Sequence, residues 1–199
     1  MVYSTDGRRL LTAGDDRTAR LWDAATGEQI KQFTGHKGRV THAALSNDGK
    51  RIVTASADGT ARIWDVATSA VLHELVGHDR AVLWAEFSRD GKNVVTAAAD
   101  DTARLWNAAD GKLLSTLTGH TAPIQSASFS ADGSRVVTGS RDAGVKLWDA
   151  TVGKELLSLK GHSAAVNVVR FSPSGRTILS AGADGAAILW PTSPWRRPK

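Results

Sequence analysis

The sequence predicts an all-β fold built from about five copies of one four-stranded antiparallel unit. Three observations predict it. Residues of four types recur at a constant step of 42 without insertion. Short β-prone runs alternate with turn signals inside each step. No apolar stripe of 3.6-residue period reaches useful length, which removes helices from the reading.

The register is read directly from the chain. Gly-His pairs stand at 35–36, 77–78, 119–120 and 161–162, and tryptophans at 22, 64, 106, 148 and 190. An aspartate precedes each Trp by six residues: Asp16, Asp58, Asp100, Asp142 and Asp184. A hydroxyl precedes it by ten: Thr12, Thr54, Thr96, Thr138 and Ser180. Self-similarity at a period of 20–50 residues is the signature of a repeat architecture.

Residues 35–76 show one unit in full. RVTHAALS reads as the first strand, and NDG is a hairpin turn into KRIVTAS. ADG leads to the third strand, TARIWD, and ATS to the fourth, AVLHELV. Asp-Gly between apolar runs is a strong hairpin signal, and strands joined by tight turns must be antiparallel. Gly7, Gly49, Gly91, Gly133 and Gly175 occupy the first turn, where positive φ is expected.

The period, the Gly-His pairs and the Trp-Asp pairs (Trp22-Asp23, Trp64-Asp65, Trp148-Asp149) resemble the WD-repeat β-propeller family. The resemblance covers residues 1–190, with repeats near 1–34, 35–76, 77–118, 119–160 and 161–190, followed by a basic, Pro-rich tail at 191–199. Trp106-Asn107 and Trp190-Pro191 depart from the dipeptide, and Pro191 removes a backbone donor. The resemblance implies a hydrogen-bonded structural tetrad in each blade. These are His36, Thr54, Asp58 and Trp64; His78, Thr96, Asp100 and Trp106; His120, Thr138, Asp142 and Trp148; and His162, Ser180, Asp184 and Trp190.

A hydroxyl, a histidine and a carboxylate also make up a hydrolytic triad. An enzyme needs one such site with an exposed nucleophile, not four at equal spacing, so no catalytic residue is assigned. The same histidines, one per blade, do not converge as a metal site, and no metal or cofactor is expected. Arg20, Arg62, Arg104 and Lys146, two before each Trp, read as solvated heads on buried stems, with Ile188 in that slot in the last repeat.

Both ends of the repeat are incomplete. Tyr3 aligns with Leu45, so Met1 falls in mid-strand. After Trp190 three prolines replace the fourth strand. The last blade is therefore expected to lack its outer strand. The expectation is a piece of a larger protein or assembly, with a homo-oligomer or a strand-completing partner chain as ways to close it.

The resemblance implies a non-catalytic protein-interaction scaffold, whose loops beside Gly-His and before the tetrad Asp contact protein partners. Candidate contact residues are Lys37, Arg39, Asp79, Arg80 and Arg141, together with Trp84, the large aromatic off the register. Trp84 reads either as an anchor at a channel mouth or as filling between blades. Nucleic-acid binding through basic loops and the tail is the weaker reading. Net charge is +5, but Arg196, Arg197 and Lys199 supply three of these charges and leave +2 for the rest. A regulatory module of a bacterial multidomain enzyme is a third, motivated by 16 Arg against 9 Lys. No run of 18 apolar residues is present, so no membrane span is expected. The absence of cysteine fits a reducing compartment, and a cytoplasmic location is the expectation.

Overall fold

A computed structural model describes residues 1–192 of the 199. Among the described residues nineteen strands form five antiparallel sheets, in chain order. The first contains β1 (Val2–Tyr3), β2 (Arg9–Ala13), β3 (Thr18–Asp23) and β4 (Gln29–Thr34). The second contains β5 (Val40–Leu45), β6 (Arg51–Ser56), β7 (Thr60–Asp65) and β8 (Val71–Val76). The third runs β9 (Val82–Phe87), β10 (Asn93–Ala98), β11 (Ala103–Asn107) and β12 (Leu113–Leu117). The fourth runs β13 (Ile124–Phe129), β14 (Arg135–Ser140), β15 (Val145–Asp149) and β16 (Glu155–Leu159). The fifth has three strands, β17 (Val166–Phe171), β18 (Thr177–Gly182) and β19 (Ala187–Pro191).

Each sheet is a meander in which sequence neighbours pair. The first turn of every unit closes through a glycine at φ between 65° and 70° (Gly7, Gly49, Gly91, Gly133, Gly175), a conformation a Cβ disfavours. A serine before each of the first four turns (Ser4, Ser46, Ser88, Ser130) donates to an aspartate two residues on. That local bond fixes the turn and so the pairing register.

The core lies between sheets. Leu11 and Leu21 of the first blade pack on Ile52 and Trp64 of the second. The same positions, 42 residues on, join the second to the third, the third to the fourth and the fourth to the fifth. Each seam buries branched aliphatic side chains against an indole, and this apolar burial is the main force holding the blades together. The first strands of the five blades face a common axis. Turn residues of all five, Thr5, Asn47, Arg89, Ala131 and Pro173, line one cavity of about 330 Å³.

Candidate functional site

Each of the four Gly-His loops crosses its own sheet and places its histidine between the hydroxyl and the aspartate. In the third blade His78 Nδ1 lies 2.8 Å from Asp100 Oδ2, and His78 Nε2 lies 2.7 Å from Thr96 Oγ1. Trp106 Nε1 donates to the same Thr96 Oγ1 across 2.9 Å. The second blade repeats this with His36, Asp58, Thr54 and Trp64. The fourth repeats it with His120, Asp142, Thr138 and Trp148. In the fifth, His162, Asp184, Ser180 and Trp190 meet with Ser180 Oγ in the threonine's place.

Donor inventory fixes the direction of each chain. Indole N–H can only donate, so the hydroxyl oxygen accepts from it. The hydroxyl proton is then free to go to His Nε2. The imidazole therefore carries its own proton on Nδ1 and donates it to the carboxylate. A neutral imidazole with its proton on Nδ1 satisfies every member of the chain. Consistent with this, burial lowers His36, His78 and His120 below the ordinary histidine value, although each has a carboxylate beside it. The hydroxyls of Thr54, Thr96, Thr138 and Ser180 are fully buried.

The aspartates also hold the loops. Burial alone would raise the Asp100 carboxyl, but Thr102 and His78 donate to it and hold it below the usual carboxylate range. Its Oδ2 additionally accepts the backbone N–H of Asp79 at 3.1 Å. Asp58, Asp142 and Asp184 take the N–H of Lys37, Thr121 and Ser163 in the same way, at 2.8–3.0 Å. The residue after Gly-His is thus pinned by its main chain while its side chain stays exposed. Among the described residues the first blade shows no such histidine. Its Asp16 accepts from Thr18 and pairs with Arg20, and Trp22 donates to Thr12.

The contact candidates fall into two groups. Lys37, Arg39, Asp79, Arg80 and Arg141 are exposed on the loops at the Gly-His end of the blades. Trp84 is turned toward the axis and half-buried. Its ring stacks on His42 at 3.6 Å between centroids, and the Arg170 guanidinium lies 4.3 Å from the Trp84 ring centroid. Arg170 also stands 3.6 Å from Glu86. Burial, helped by the Arg170 charge, lowers His42 to about 3. Burial also pushes Glu86 above the usual carboxylate range, against the pull of Arg170. His42, Glu86 and Arg170 were not singled out by the repeat, because their equivalents in other blades are unrelated residues.

Two of the basic residues that stand two before Trp, Arg62 and Lys146, do not keep their heads in water. Arg62 pairs with Glu74 at 2.8 Å and Lys146 with Glu155 at 2.8 Å, their side chains nearly covered. The outer strand supplies a carboxylate that the position in the repeat does not reveal. Arg196, Arg197 and Lys199 lie outside the described residues.

The family described as "WD domain, G-beta repeat" matches residues 1–23, 27–65, 69–107, 111–149 and 153–191. The chain belongs to the WD-repeat family. Curated relatives align over about one repeat. A G(I)/G(S)/G(T) guanine nucleotide-binding protein subunit beta-1 from Homarus americanus is 46% identical over 41 residues, 21% of this chain and 12% of that protein. WD repeat-containing protein 86 from Homo sapiens is 43% identical over 47 residues, 24% of this chain and 12% of that protein. The U3 snoRNP-associated protein-like YAO from Arabidopsis thaliana is 42% identical over 41 residues, 21% of this chain and 8% of that protein. The likeness is to the WD repeat as a unit, and the matched stretch spans about a tenth of each relative's length.

Proposed function

We propose that this WD-repeat chain is a non-catalytic scaffold that binds protein partners through the loops at the Gly-His end. One observation carries the reading. Four half-buried aspartates clamp the main chain at Lys37, Asp79, Thr121 and Ser163, while the side chains at these positions differ and face solvent. A fixed frame with variable exposed side chains is what recognition requires. Lys37, Arg39, Arg80 and Arg141 outnumber Asp79, which favours an acidic protein surface as the partner.

Hydrolysis fits this geometry poorly. A nucleophilic hydroxyl must be reachable and free to lose its proton to the histidine while it attacks. Thr138 Oγ1 is buried and already accepts from Trp148 Nε1. The repeats supply the same arrangement four times, as struts would be supplied.

The test compares two charge-reversed variants. One carries Lys37→Glu, Arg39→Glu and Arg80→Glu. The other carries Lys50→Glu and Lys92→Glu, which lie on the opposite, hairpin-turn end. Proteins captured by the wild type and identified by mass spectrometry should be lost in the first and kept in the second. Equal loss in both, or loss in the second alone, contradicts the proposal. Captured nucleic acid whose binding falls steeply with salt would favour the alternative partner class.

A further inference from the structure

The fifth sheet ends on β19, which among the described residues is paired on one side only, with β18. An open edge is a template for another strand, and proteins usually guard it with charge. β19 does the reverse. Its sequence is AILWP, whereas β3, β7, β11 and β15 each carry Arg or Lys two before the Trp, with Asp or Asn after it. The one third strand left at an edge is the one that has no charged residue. Its face is uncovered as well. Leu179 and Leu189 are 40% and 67% exposed, while their equivalents in the other four blades are 0–1% exposed.

We propose that β19 pairs antiparallel with β19 of a second copy of this chain, about a two-fold axis through Ile188. Three features converge on that register. In the second and third blades an outer-strand Leu stands opposite a small residue near the start of the third strand, Ala61 opposite Leu75 and Ala103 opposite Leu117, while the first and fourth have Phe33 opposite Ala19 and Leu159 opposite Val145. Pairing centred on Ile188 sets Leu189 of each copy opposite Ala187 of the other and rebuilds that pair twice. Residues directly opposite share a face, so the exposed leucines of both copies join one strip. The position on the axis faces its own copy. A like charge there repels itself, and this is the slot where the repeat's Arg or Lys has become Ile188. The missing N–H of Pro191 falls beyond the paired residues 187–189, where it interrupts nothing.

A dimer with an isologous contact closes on itself and does not polymerise. The contact is short, so the association is weak and concentration-dependent.

Light scattering and backbone hydrogen exchange of the whole chain, over a wide range of concentration, test this. The wild type should move from monomer to dimer as concentration rises, with protection at 187–189 rising in step. Ile188→Arg restores the residue type that three other blades hold at this position, so the blade should fold. It should stay monomeric where the wild type is dimeric. Ile188→Lys and Ile188→Glu should each be monomeric alone and form a dimer when mixed, since opposite charges then meet on the axis. Four results overturn the proposal: a wild type that is monomeric throughout, edge protection independent of concentration (a strand of the same chain covering β19), a dimer untouched by Ile188→Arg, or open-ended polymers.

Discussion

Thr96 Oγ1 lies 2.7 Å from His78 Nε2, and both atoms are sealed from solvent inside the third blade. The threonine is the hinge of the chain of bonds, because it must accept from Trp106 while donating to His78. Replacement by valine keeps the shape and removes both roles. Thr96→Val leaves an indole N–H and a ring nitrogen buried without partners, which costs about 2–4 kcal/mol. Urea denaturation should show that loss, with secondary structure retained at zero denaturant. A change under about half a kcal/mol, the size of a neutral surface substitution, would show that the bonds contribute nothing.

Asp100 joins two functions that can be separated. Asp100→Ala strands the His78 N–H and releases the backbone N–H of Asp79. Losing a buried carboxylate acceptor should destabilise by about 2–4 kcal/mol. Hydrogen exchange should also accelerate at Asp79 and Arg80 more than at Lys37 or Thr121, whose own aspartates are intact. Uniform acceleration across all four loops would mean that the carboxylates do not hold the loops individually.

Acid should weaken the fold in two stages. His36, His78 and His120 have values lowered by burial, and His42 falls to about 3. The unfolded chain takes up these protons near pH ~6.5, but the folded chain does not. Their contribution is complete above that value and shrinks as pH falls toward the folded values. The lowered Asp58, Asp100 and Asp142 add stability that is present above their unfolded value near ~3.9 and is lost on further acidification. The urea midpoint should therefore drop between about pH 7.5 and about pH 5. A flat or rising midpoint would contradict the neutral, buried histidines.

The stack of His42, Trp84 and Arg170 spans three blades, the second, third and fifth. Trp84→Ala removes the ring from both neighbours and should destabilise by about 3–5 kcal/mol, as core aromatic truncations do. Arg170→Ala should cost less, about 0.5–2 kcal/mol, because it loses the cation–π contact and the loose pair with Glu86. Thermal unfolding of the two variants measures the order, and an equal effect would place Trp84 outside the core.

What repeats could be read from the sequence, and what does not repeat could not. The strands, their turns and the meeting of His78, Thr96, Asp100 and Trp106 follow from residues that keep a 42-residue step in a fold where each step is one sheet. The expectation of a missing outer strand comes from the prolines after Trp190, and among the described residues the fifth sheet has three strands. In the His42–Trp84–Arg170 stack, His42 and Trp84 share one slot of the repeat and Arg170 stands two residues past it in the fifth blade, but no residue type is kept at either slot, so no periodicity marks the stack. The partners of Arg62 and Lys146 escaped for the same reason. Glu74 lies on the outer strand and Glu155 at its start, and each is placed by its local strand pairing.

The tautomer of the four Gly-His histidines tests the central claim most directly, that these residues are struts holding the loops. Ring nitrogens of ¹⁵N-labelled protein can be assigned by long-range ¹H–¹⁵N correlation at neutral pH. The account predicts that His36, His78 and His120 are neutral, with the proton on Nδ1 and a bare Nε2 accepting from the hydroxyl, and that His162 likewise directs an Nδ1 proton to Asp184. Protonation at Nε2, or imidazolium rings in exchange with solvent, would contradict it.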